Sequence, residues 1–96
     1  MIQEIVIKSN APISLKPLLE SAIQDRLKIL DLGIERTRAR LAAFERRYEM
    51  PTAEFERRFN GEDLTETLDF IEWTGEIKML RLLQEKYDAL AQAEIS

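Results

Sequence analysis

Apolar positions along this chain follow two different periods. Between Ile2 and Lys8 the β-branched residues Ile5, Val6 and Ile7 stand together, and Asn10, Ala11 and Pro12 close the run. This predicts a short strand over residues 2–8. From Ile23 the apolar side chains recur at alternating steps of four and three: Ile23, Leu27, Leu30, Ile34, Leu41, Phe44 and Tyr48, with Thr37 completing the series. That is coiled-coil spacing, and it predicts one helix over 15–49, about 50 Å long. Ser14 is placed as its N-cap and Pro17 falls in its first turn. Gly33 lowers helix propensity there without breaking the phase.

Pro51 marks the end of that helix, and Thr52 stands where a cap for the next would be. A short helix over 53–59 sets Phe55 and Phe59 on one face, and Asn60-Gly61 stops it. A second long helix is predicted over 68–92, capped by Thr65 or Thr67. Its stripe is Phe70, Trp73, Ile77, Leu80, Tyr87 and Ala91, widened by Leu83 and Leu90. The fold class is therefore mainly α, within one domain over 1–96. It is a long helical hairpin with a short intervening helix and a short N-terminal β-strand, assembling as a dimeric helical bundle.

Two features call for a partner. No second strand pattern is present, so the strand is expected to pair with another copy or another protein. Ile29, Leu32, Ile71, Met79 and Leu82 also lie off the main seams, and a stripe that wide exceeds what one neighbouring helix covers. For self-association the expected seam is Leu27, Leu30, Ile34, Leu41 and Phe44.

Composition then removes function classes. The chain has 96 residues, 45% hydrophobic and 33% charged, with neither Cys nor His. Disulfides, thiolate nucleophiles, Ser-His triads and zinc sites with Cys or His ligands are excluded. The longest stretch without a charged residue runs only from Ser9 to Leu15, which excludes a membrane span and points to a cytoplasmic location. No cofactor, no metal and no enzymatic activity are expected. Charge is unevenly spread: residues 26–58 carry nine basic and six acidic side chains, whereas residues 59–96 carry three basic and nine acidic ones.

Three sets of residues could carry chemistry. The carboxylates Asp63, Glu66, Asp69, Glu72 and Glu76 recur at helical spacing, and with Glu45 and Glu49 could hold Mg²⁺ as in an all-α nucleotide hydrolase. Placement near the positive end of a helix dipole, or on a solvated face, explains the same residues more simply. The arginines Arg36, Arg38, Arg40, Arg46, Arg47, Arg57 and Arg58 suit phosphate, but Glu35, Glu45, Glu49, Glu54 and Glu56 dilute them. Ion pairing is the better use, and direct nucleic-acid binding is not expected. The aromatics Tyr48, Phe55, Phe59, Phe70 and Trp73 gather around the connection between the long helices. They form either a packed corner or an anchor for a partner.

The stretch from Phe44 to Trp73, FERRYEMPTAEFERRFNGEDLTETLDFIEW, resembles a family of small prokaryotic antitoxin-like proteins encoded beside compact toxins in type II toxin–antitoxin modules. The positions that carry the resemblance are Glu45, Tyr48, Met50, Thr52, Phe55, Gly61, Asp69, Phe70, Glu72 and Trp73. The family usually has Gly where this chain has Glu49, which suggests a long helix that runs further here. The resemblance implies a non-enzymatic protein that binds and masks a small basic, RNA-directed toxin. On that reading Asp69, Glu72 and Glu76 supply the electrostatics, while Phe70 and Trp73 anchor the partner. The alternative classes are a self-associating helical structural protein and the metal-dependent hydrolase.

Overall fold

The computed structural model describes residues 3–8, 10, 14–61 and 63–95. The element order is β1 (Gln3–Ile5), α1 (Leu15–Tyr48), α2 (Thr52–Asn60), α3 (Leu68–Ala91) and β2 (Ala93–Ile95). Helices α1 and α3 form the long hairpin, and the molecule measures 61 × 21 × 18 Å. No described helix is long and apolar enough to cross a membrane.

The four-three series of α1 is buried against α3 of the same chain. Leu30, Ile34, Thr37 and Leu41 are buried, and Leu41 packs in one cluster with Trp73 and Ile77 of α3. Thr37 is tolerated among these apolar residues because its hydroxyl donates to the Gly33 carbonyl at 2.9 Å. The series expected for self-association is thus occupied in cis, with Leu27 and Phe44 half-buried beside it. A second copy would need another face.

Helix ends follow local chemistry, with some departures from expectation. Glu49 adopts φ 52°, in the left-handed region, and its N–H bonds back to the Glu45 carbonyl. The helix therefore stops at Tyr48 instead of running on, because a left-handed residue cannot continue a right-handed helix. The position is one that favours glycine, and here a glutamate occupies it. Pro51, not Thr52, is the N-cap residue of α2. Ser14 takes the N-cap position of α1 without a side-chain cap bond, whereas Thr67 caps α3 by accepting from Phe70 N–H at 3.2 Å.

The N-terminal strand does not wait for another chain. β1 pairs in parallel with β2, placing Gln3 opposite Ala93 and Ile5 opposite Ile95. The expectation of a partner strand in trans is corrected by a three-residue segment too short to show a period of two. Of the predicted strand over 2–8, Ile2 lies outside the described residues and residues 6–8 are not in the strand.

Candidate functional site

The corner that joins the three helices is built on Trp73, which with Phe55 has no solvent exposure. The two rings stack at 3.9 Å with an interplanar angle of 2°. Phe44 stacks on Trp73 from α1 at 5.5 Å, and Tyr48 and Phe70 close the cluster at 5.0 Å from each other. A buried indole needs a partner for its N–H, and Trp73 Nε1 donates to Thr52 Oγ1 at 3.1 Å. Thr52 N–H in turn donates to Glu45 Oε2 at 2.7 Å. One polar relay, Glu45–Thr52–Trp73, therefore ties the end of α1 to the start of α2 and the second turn of α3.

A second tie is made at Asp69. Its Oδ2 accepts from the Tyr48 hydroxyl and from Arg47 Nη1 at 2.9 Å. The Tyr48 hydrogen bond, then that of Arg47, holds the Asp69 carboxyl below its ordinary range. The same bond to Asp69 raises Tyr48, with desolvation adding to it, and Arg47 is raised by its bond to Asp69. On the other side of α3, Arg81 grips both oxygens of Glu56 in α2 at 2.7 and 2.9 Å.

The residues expected to meet a partner are thus divided. Trp73 is wholly buried, Phe70 packs half-buried against the core, and Asp69 is committed to Tyr48 and Arg47. Placing Phe70 and Trp73 as surface anchors is corrected: periodicity marks a face, and two neighbours, α1 and α2, cover that face here. Glu45, Tyr48, Met50, Thr52, Phe55, Phe70 and Trp73 all fall on this corner. The segment that resembles antitoxin-like proteins therefore encodes a structural joint.

Glu72 and Glu76 remain. Both line an open cleft of about 640 Å³ with Arg40, Ala43, Phe44, Arg47, Gly75 and Met79. Glu76 Oε1 accepts from Arg40 Nη1 at 3.2 Å, but Oε2 is buried with no hydrogen-bond partner. Glu72 is exposed. Met79 stands about 160° around α3 from Arg81, so the cleft opens on the side away from α2. Sequence reasoning placed neither Arg40 nor Arg47 here. Their shared heptad position was the available signal.

The carboxylate series does not converge. Asp69 and Glu76 are committed to separate arginines and Glu45 to Thr52. Among the described residues no group of three acidic side chains is placed to hold a metal ion. Of the arginine set, Arg40, Arg47 and Arg57 meet carboxylates, Arg57 lying 3.9 Å from Glu54. No family model matches the chain, and no curated protein or solved structure matches it either.

Proposed function

We propose that this chain is a non-enzymatic, antitoxin-like protein-binding module that masks a small basic, RNA-directed toxin. The observation that supports it is the buried, unpartnered Oε2 of Glu76 in an open cleft beside exposed Glu72. A buried acceptor without a donor costs about 1–3 kcal/mol, and more for a charged group. A Lys or Arg from a partner's RNA-binding surface would supply that donor. Met79 in the cleft wall is about half exposed, as are Ile29, Leu32 and Leu82 further along the two long helices, and they offer the apolar contact that charge alone lacks.

Masking follows from the same arrangement. Carboxylates seated on the basic residues of a ribonuclease would compete with RNA phosphates for them. The test is RNA cleavage by whatever small basic protein the tagged chain captures from its own lysate at low salt, assayed with and without the purified chain; capture of none would overturn the reading. Stoichiometric suppression of cleavage, lost as salt rises, supports the reading. Undiminished cleavage at low salt with excess chain would overturn it.

A further inference from the structure

The outer stripe of α3 reads Glu72, Gly75, Met79, Leu82 and Lys86, in steps of three and four. It is centred about 140° around the helix from Arg81, which faces α2. Every residue of the stripe is exposed. A Cβ added at Gly75 would find nothing within 4 Å, so the stripe has an open notch as well as a ridge. Its charges are ordered: a carboxylate at one end, an ammonium at the other, each one heptad from Met79.

That order is self-complementary under reversal of direction. We propose that the occupant of this stripe is a second copy of the chain, packed with α3 antiparallel to α3 about a two-fold axis at Met79. Glu72 then faces Lys86 of the second copy, and the symmetry makes the pair twice. Leu82 of each copy seats in the notch left by Gly75 of the other. Ile29 of α1, two heptads from the cleft residue Ala43, borders the contact on the same side. Lys86 of the second copy also lies within a long side chain's reach of Glu76, whose Oε2 has no donor within the chain.

This inference does not depend on the masking role, although the two occupants exclude each other because Glu72 and Met79 belong to both surfaces. Sedimentation of the purified full chain tests it without any toxin. The wild type is expected at twice the 11.2 kDa of one chain. Glu72→Lys and Lys86→Glu, each setting like charges opposite one another, should each raise the dimer dissociation constant roughly tenfold or more. Combining them restores opposite charges and should restore the dimer. Both side chains are exposed, so a matching thermal transition verifies that the variants remain folded. A monomeric wild type would overturn the proposal. So would a dimer indifferent to either single reversal, or a double variant no tighter than the singles.

Discussion

Gly33 of α1 faces Leu83 of α3 so closely that a Cβ on the glycine would lie 3.3 Å from Leu83 Cδ1. The contact is one rung of a regular series. Arg47 meets Asp69, Arg40 meets Glu76, Gly33 meets Leu83, and Arg26 and Leu90 line a common groove. Each rung lies one heptad further along both helices, which run in opposite directions. Gly33 thus makes room for a leucine, whereas the two rungs on its corner side hold ion pairs.

The two glycines of the long helices should therefore respond differently to alanine. Gly75→Ala gains helix propensity with no obstruction and should stabilise the monomer by about 1 kcal/mol. Gly33→Ala gains the same propensity but must push the tip of Leu83, so its net effect should be smaller. Gly33→Leu overpacks the rung and should cost about 1–3 kcal/mol. Urea unfolding followed by circular dichroism measures all three. Equal gains for the two alanine variants would show that the Leu83 contact does not constrain Gly33.

The relay through Trp73 predicts a graded series. Trp73→Ala empties the centre of the corner and should cost about 3–5 kcal/mol. Thr52→Val keeps the volume but leaves the indole N–H without its acceptor, at about 1–3 kcal/mol. Denaturant midpoints give both values. A Thr52→Val protein as stable as the wild type would mean the Trp73 hydrogen bond contributes nothing.

Glu49 supplies a substitution expected to stabilise. Its φ of 52° disfavours any side chain, and Glu49→Gly should gain about 1 kcal/mol by removing that strain. This is also the residue usual at the position in the family that the segment resembles. A lower melting temperature for the glycine variant would contradict the left-handed cap.

Acid and base should loosen the corner for opposite reasons. Asp69 is depressed in the folded state, so its contribution is present above the ordinary carboxylate value of about 3.9 and is lost as pH falls through the folded value. Tyr48 is raised, so its contribution is present below about 10 and is lost as pH rises through its folded value. Carboxyl carbon shifts through an NMR titration report Asp69 directly. Tyr48→Phe removes the largest cause and should move its midpoint upward; an unmoved midpoint would rule that cause out.

Much of the architecture was legible because the packing seam of α1 repeats every heptad, and a period survives even where Thr37 and Gly33 interrupt its chemistry. The surplus apolar positions Ile29, Leu32, Ile71, Met79 and Leu82 were legible as lacking cover, and all five are exposed. The site was less so. Trp73 and Phe70 looked like anchors because a sequence shows which helix face is apolar but not how many neighbours share it. The pairing of Arg40 with Glu76, and of Arg47 with Asp69, depends on the register between two helices, which no single-helix pattern contains. β2 and the left-handed Glu49 are set by tertiary context over one to three residues, below the reach of periodicity.

The cleft between α1 and α3 is the proposed seat of a basic partner. Stopped-flow association of the wild type with a small basic protein captured by the chain from its own lysate, at low and high salt, tests that proposal directly. The wild type should associate quickly at low salt, and Glu72→Lys combined with Glu76→Gln should slow association by about tenfold, the difference shrinking as salt rises. Association rates that are the same for both proteins at low salt would contradict the cleft as the binding surface.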